Sequence, residues 1–259
     1  MDLGLQGRLA IVTGGSKGIG LAIVRALSAE GVTVVTAART ISAELAELTA
    51  TAQVTVMRLD LADPASPARL VAAAGERIDI LVNNAGAAPV HPDGFLSGTD
   101  QDWLDSLNLN LLAAVRTTRA ALPAMLAASR GVIITVSSVT ASYPLPDMIE
   151  YSAAKAALSA FMKALSKEVG PKGIRVNTVS PGPTSTPMWL GESGIAVTTA
   201  RAAGVQPEDV VKQTAQLAVT GRFTEPGEVA DLVAMLASDR TANLTGADIA
   251  INGGIVPTW

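Results

Sequence analysis

The chain has 259 residues, 49% hydrophobic and 16% charged, with a net charge of −4, enough apolar content for one large α/β domain with a sizeable core. It has no basic stripe, no cysteine and one histidine, His91, which argues against nucleic-acid binding and excludes disulfides, thiolate chemistry and a histidine-rich metal site, so no metal is expected. No apolar stretch approaches a membrane span, and the residues after Met1 lack a signal peptide's basic and apolar regions, so a soluble cytoplasmic protein without a membrane partner is expected.

Residues 9–12 are a short apolar run rich in β-branched side chains, which reads as a strand. It leads into Thr13-Gly14-Gly15-Ser16-Lys17-Gly18-Ile19-Gly20, and residues 21–29 then have helical composition. Strand, glycine-rich turn and helix are the context in which phosphates bind at a helix N-terminus. The spacing is Gly-x-x-x-Gly-x-Gly rather than the standard Gly-x-Gly-x-x-Gly fingerprint. Residues 32–38 form a second strand, followed by Arg39. Dinucleotide folds carry an acid near this point for the ribose 2′-hydroxyl. This chain offers Ala37, Ala38 and Arg39 instead. Arg39, with Lys17 as a second positive charge, suits a 2′-phosphate and favours NADP(H) over NAD(H).

Residues 54–59 form a third strand, ending at Asp60-Leu61, where the acid either caps a turn or contacts the adenine. A short helix is expected within 62–74 and a fourth strand over 78–82. That strand runs into Asn83-Asn84-Ala85-Gly86, suited to a sharp hydrogen-bonded turn at the sheet edge where ligands sit. Residues 87–100 read as a loop, with His91 an ordinary loop histidine that has no nearby partner in sequence. Residues 101–128 read as one long helix, kinked or broken at Pro123. Asn108 and Asn110 interrupt its apolar pattern, and one of them is expected to hydrogen-bond in a buried setting. Residues 132–136 are a strongly apolar strand ending in Ser137-Ser138.

A helix over 151–169 follows a loop holding Pro144 and Pro146. Tyr151 and Lys155 lie one turn apart on one face of it. A tyrosine ordinarily ionises near pH 10. An ammonium at roughly 4 Å, in an effective dielectric of about 20, stabilises a phenolate by about 4 kcal/mol. That is roughly three pKa units, enough to bring Tyr151 into the range of general acid–base work. Residues 175–179 form another strand, ending in Ser180-Pro181-Gly182-Pro183-Thr184. Residues 183–207 lack clear periodicity but carry Met188, Trp189 and Leu190. An apolar-tipped segment beside the ligand edge reads as a substrate lid, and Met188 and Trp189 favour an apolar substrate. Residues 207–218 and 226–237 are helical, and 249–251 are a last short strand before Asn252-Gly253-Gly254. Trp259 either packs on a partner subunit or lies loose. The alternation runs through the chain without repeat, linker or second domain. It predicts one domain over 1–259, an α/β fold with a parallel, doubly wound sheet, and all the sites above fall on one edge of that sheet.

On these residues the chain resembles the short-chain dehydrogenase/reductase family over essentially its whole length. The matching pieces are Thr13-Gly14-x-x-x-Gly18-x-Gly20, Asp60-Leu61, Asn83-Asn84-Ala85-Gly86, Asn110, Ser138, Tyr151-x-x-x-Lys155, Pro181-Gly182 and Gly253-Gly254, in the family's order and spacing. Ala154 departs from the serine many members have there. The resemblance implies a Rossmann-type sheet of seven parallel strands. It also implies a homotetramer or homodimer, with interfaces on helices 101–128 and 151–169.

The resemblance further implies roles. Tyr151 is the general acid in carbonyl reduction and the general base in alcohol oxidation. Lys155 lowers its pKa and bonds the nicotinamide ribose, Ser138 holds the substrate oxygen, and Asn110 anchors a proton-relaying water. Gly14, Ser16, Lys17, Gly18, Ile19 and Gly20 belong to the phosphate turn, and Asp60 and Leu61 flank the adenine. Asn84, Ala85 and Gly86 line the ribose side, and Pro181, Gly182, Thr184 and Thr186 the nicotinamide. The reading is an NADP(H)-preferring oxidoreductase acting on a small-molecule ketone or secondary alcohol. It resembles the 3-oxoacyl-carrier-protein reductase and secondary-alcohol dehydrogenase branch. The alternatives are an NAD-dependent secondary-alcohol dehydrogenase, a nucleotide-binding regulator without turnover, and a dehydratase or epimerase on the same scaffold.

Overall fold

The structure, a computed structural model, describes residues 2–257; Trp259 lies outside them. In chain order the elements are β1 (Leu9–Thr13), α1 (Gly18–Ala29), β2 (Thr33–Ala38), α2 (Ala43–Thr51), β3 (Val54–Arg58), α3 (Ser66–Ala74), β4 (Ile80–Asn83) and α4 (Asp100–Leu107). After a π-helical turn, Asn108–Leu112, come α5 (Ala113–Ala128), β5 (Gly131–Val136), α6 (Ile149–Val169) and β6 (Ile174–Pro181). The chain closes with α7 (Pro187–Leu190), α8 (Ile195–Ala203), α9 (Pro207–Leu217), α10 (Pro226–Ala237) and β7 (Asp248–Ile251). The strands form a seven-stranded sheet in the order β3-β2-β1-β4-β5-β6-β7, and every pairing is parallel.

Alternation along the central strands builds a core on each face. Ala10 and Val12 of β1 point to one side, where α1 and α10 bring Ile23, Leu27, Val229 and Val233. Ile11 points to the other, where α3, α5 and α6 bring Leu70, Met125 and Leu158. In-register pairs Ile11↔Leu81 and Leu81↔Ile133 carry this second face across the sheet. Because both faces are covered, the strands read as continuous apolar runs rather than alternating ones. The strand order reverses between β1 and β4, and in a parallel doubly wound sheet ligands sit in the crevice at that point.

Four features depart from the sequence reading. Residues 43–51 are helical, capped where the Leu45 N–H donates to the Ser42 hydroxyl at 3.2 Å. Leu45 is the buried side chain of that helix, so it carries almost no apolar stripe to read. Pro123 does not end the long helix: α5 runs through it. Pro123 and Arg119 lie on the exposed face, so the carbonyl that proline leaves without a donor reaches water. The irregularity falls instead at Asn108–Leu112, where the ladder widens to a π turn. The whole run Asp100–Ala128 is long and apolar enough to cross a membrane, contrary to expectation. Here its buried Ala113, Ala121 and Met125 pack on the sheet. Finally, residues 183–207 are not structureless but hold α7 and α8.

Candidate active site

A cleft of about 730 Å³ opens along the C-terminal edge of the sheet, within the size range of small-molecule and cofactor sites. One end is built by the turn after β1. Gly14 and Gly18 have φ of +72° and +55°, the left-handed region that glycine tolerates. A side chain at Gly20 would overlap the Gly14 carbonyl and come within 2.5 Å of the Asn84 amide. The Thr13 hydroxyl locks this turn to β4 by accepting from the N–H groups of Asn84 and Ala85 at 2.8 and 3.0 Å. Lys17 caps α1 without a side-chain hydrogen bond, so backbone N–H groups of the first turn face the cleft, as a pyrophosphate requires. Arg39 and Lys17 are exposed at the cleft wall, and the Arg39 carbonyl accepts from Arg58 Nε at 3.1 Å. A dinucleotide fits this cradle.

The other end is built where β5 meets α6. Ser138 lies two residues past the end of β5, and Tyr151 and Lys155 project from the first turns of α6. All three are buried at 8%, 7% and 3% exposure, yet line the cleft. Lys155 Nζ donates to the Val136 carbonyl at 2.9 Å and stands 5.7 Å from the centre of the Tyr151 ring. Ser137 fastens the two elements, donating to the Lys155 carbonyl at 3.3 Å and pairing with the Ser159 hydroxyl at 2.9 Å.

Electrostatics here differs from the sequence expectation. Burial pushes the Tyr151 phenol up to about 12, while its hydrogen bond to Ser138 pulls in the opposite direction. Burial pushes Lys155 down to about 8. Desolvation disfavours both charged forms, and at Tyr151 it exceeds the opposing pull of Ser138. Without ligand the tyrosine is therefore a protonated acid beside a lysine that loses its proton unusually early.

The structure brings nearly all the predicted residues together. Gly14, Ser16, Lys17, Gly18, Ile19, Gly20, Arg39, Asp60, Leu61 and the turn Asn84, Ala85 and Gly86 line the cleft. So do Ser138, Tyr151, Lys155, Pro181, Gly182, Thr184 and Thr186. Asp60 also caps its own turn, accepting from the Ala62 N–H at 3.0 Å. Asn84 spends its side-chain amide protons on the Thr13 and Gly14 carbonyls at 2.9 and 3.2 Å. Asn110 does not line the cleft. Its side chain accepts from the Ala87 N–H at 3.1 Å and donates to the Ala87 carbonyl at 2.9 Å. It thus holds the turn beside Lys155 rather than facing a ligand. Asn108 also has a partner, donating to the Ala62 carbonyl at 2.8 Å.

His91 is not an ordinary loop histidine. Its Nε2 lies 2.7 Å from the buried Glu150 Oε1, out of line for a hydrogen bond, so the contact is ionic when the imidazole carries its proton. It draws the loop against the residue before Tyr151, and no local pattern connects positions so distant in sequence. Sequence reasoning also missed the far wall of the cleft. Tyr143, Leu145, Met148, Ile195, Val210 and Leu217 close it, and Trp189 is fixed edge-on to Phe223 with ring centres 5.3 Å apart. The segment over the cleft reaches past 207 into α9.

Residues 8–194 match the family model for short chain dehydrogenases. The chain belongs to the short-chain dehydrogenase family. It is similar over its full length to L-xylulose reductase of Bos taurus, at 35% identity and with 100% of both chains covered. It is 36% identical to the 3-oxoacyl-[acyl-carrier-protein] reductase FabG of Escherichia coli, covering 98% of this chain and 99% of that one. Among solved structures, L-sorbose reductase from Gluconobacter frateurii, described in complex with NADPH and L-sorbose, superposes with a TM-score of 0.91. It shares 32% identity and is covered completely, as is this chain. The protein is an NAD(P)-dependent oxidoreductase of this family with its Rossmann-type sheet.

The chain has two tyrosines, Tyr143 half-exposed and Tyr151 buried. In Tyr143→Phe, tyrosinate absorbance therefore reports Tyr151 alone. Because burial favours the protonated phenol, the absorbance should stay flat through the ordinary tyrosine range and rise only towards pH 12. A midpoint at or below pH 10 would show that burial does not govern this group.

Proposed function

We propose that this enzyme is an NADP(H)-preferring ketone reductase, able to run in reverse as a secondary-alcohol dehydrogenase, with an apolar substrate. The observation that carries the reading is the pairing of two ends of one cleft: Ser138, Tyr151 and Lys155 at one, Arg39 and Lys17 at the other. A scaffold that only bound nucleotide would have no use for a buried tyrosine and lysine.

Nicotinamide, when bound, supplies or accepts the hydride. Tyr151 gives its phenolic proton to the substrate oxygen during reduction and takes it back during oxidation. Ser138 donates a hydrogen bond to the same oxygen and orients the carbonyl. The Lys155 ammonium stabilises the phenolate that remains. Asn110 keeps the Ala87 turn fixed beside it. Pro181, Gly182, Thr184 and Thr186 flank the nicotinamide, Asp60 and Leu61 the adenine, and the α1 N-terminus the pyrophosphate. Arg39, with Lys17, holds the 2′-phosphate. The NADPH complex described for the sorbose reductase agrees with this preference.

The apolar far wall supports the substrate class. Past Tyr151 a substrate meets Leu145, Met148, Ile195, Val210 and Leu217, which outnumber the polar Tyr143, Asp147, Thr199 and Thr214 there, and a polar group buried against the apolar side chains without a partner is disfavoured. Residues 183–217 act as the cover over this end. Leu104 and Leu112, exposed at 60% and 38% on the long helix, suit self-association as a dimer or tetramer.

In fluorescence titrations, NADPH should bind more tightly than NADH, and Arg39→Asp should weaken NADPH selectively. Equal NADPH affinity in the variant would remove Arg39 from the site. In NADPH oxidation assays, aliphatic and aryl ketones should give a higher kcat/KM than ketoses. The reverse order would place the enzyme with sugar-acting relatives and overturn the apolar reading.

A further inference from the structure

Ser138 does not stand alone in the site. It caps a short 3₁₀ turn, Val139–Ala141, and its oxygen accepts two hydrogen bonds from one residue. The Thr140 backbone N–H reaches Ser138 Oγ at 3.2 Å, and the Thr140 hydroxyl donates to the same atom at 3.0 Å. Thr140 is buried at 6% exposure and lines the cleft.

A serine hydroxyl has two acceptor lone pairs and one proton. Thr140 fills both lone pairs. The one valence left to Ser138 is its proton, and the open direction is towards the cleft and Tyr151. We propose that Thr140 is a positioning residue that commits Ser138 to act only as a hydrogen-bond donor, towards the substrate oxygen and the Tyr151 phenolate. This rests on the hydride-transfer reading given above.

The consequence is a fixed polarity. With one lone pair free, Ser138 could accept the Tyr151 proton instead of donating to its oxygen. That orientation stabilises the phenol against the phenolate and turns the serine away from the role it has in catalysis. With both lone pairs filled, the donor direction is set before substrate arrives and does not need to reorganise during the reaction. The oxygen that Ser138 serves is the one that gains a proton from Tyr151 in reduction and loses it in oxidation.

The test compares Thr140→Val, which removes the hydroxyl at nearly constant shape, with Thr140→Ser, which keeps it. Thr140→Val should lower kcat about tenfold, the worth of one neutral hydrogen bond, with KM and NADPH affinity close to wild type. In alcohol oxidation, where Tyr151 must start deprotonated, its acidic limb should move up by about one pH unit. Thr140→Ser should restore both. A wild-type kcat and pH profile in Thr140→Val would overturn the proposal. So would a Thr140→Ser variant as impaired as Thr140→Val, since that assigns the effect to packing. Neutron crystal structures of the two variants read the proton without turnover: Ser138 should donate to Tyr151 in Thr140→Ser and accept from it in Thr140→Val. A Ser138 proton still aimed at Tyr151 in Thr140→Val also overturns the proposal. A wild-type enzyme inactive on every ketone and alcohol sinks the hydride-transfer reading instead, and the crystal structures still decide the role of Thr140.

Discussion

Lys155 is a cation buried at 3% exposure, and the acceptor it has is a backbone carbonyl, that of Val136, rather than a carboxylate. Burying a charge without a counter-charge is strongly unfavourable, and the fall of its pKa to about 8 records that. Much of the nearby architecture follows from keeping this group in place. The end of β5 must meet α6 closely, which the Ser137 bonds to the Lys155 carbonyl and the Ser159 hydroxyl secure. The turn after β4 must pass beside it without a side chain. At Gly86 a Cβ would sit 3.6 Å from Lys155 Nζ and 2.7 Å from Asn110 Oδ1. The π turn of the long helix presents Asn110, which pins Ala87 on the other side.

The same edge joins this chemistry to the cofactor end. Thr13 at the end of β1 accepts from two N–H groups after β4, so the phosphate turn and the ribose turn move as one piece. Parallel register carries that alignment through β5 and β6. Functional groups thus lie on short turns after buried strands or, for Tyr151 and Lys155, on the first turns of α6, which suits chemistry that depends on placement. The fold is shared with relatives that act on different molecules and does not choose among them. Side chains of α7 to α9 and of residues 143–148 line the cleft beyond Tyr151.

Sequence made the strands, the glycine turn and the Tyr151–Lys155 pair legible because each is local. Apolar runs bounded by glycine mark the strands, and a spacing of four fixes a helix face. What sequence hid depends on contacts between distant segments. Leu45 is the buried side chain of α2, with Leu48 only partly buried beside it, too little to show a periodicity. The π turn arises where Asn110 reaches across to Ala87. His91 finds Glu150 from a loop well before it. The rise of the Tyr151 pKa was hidden for the same reason: a lysine one turn away is visible in sequence, whereas the apolar surroundings that desolvate both groups exist only once the chain has folded. Thr140 was missed because its role passes through another residue.

The central claim is that Tyr151 moves the proton that accompanies hydride transfer. Its most direct test is single-turnover NADPH oxidation with a reactive ketone, in the wild type and in Tyr151→Phe, alongside NADPH binding in each. The account predicts that Tyr151→Phe binds NADPH nearly as well as wild type and loses turnover by at least about a hundredfold, the lower end of what general acid catalysis contributes. A variant that binds NADPH and still reduces the ketone at a rate near wild type would contradict it.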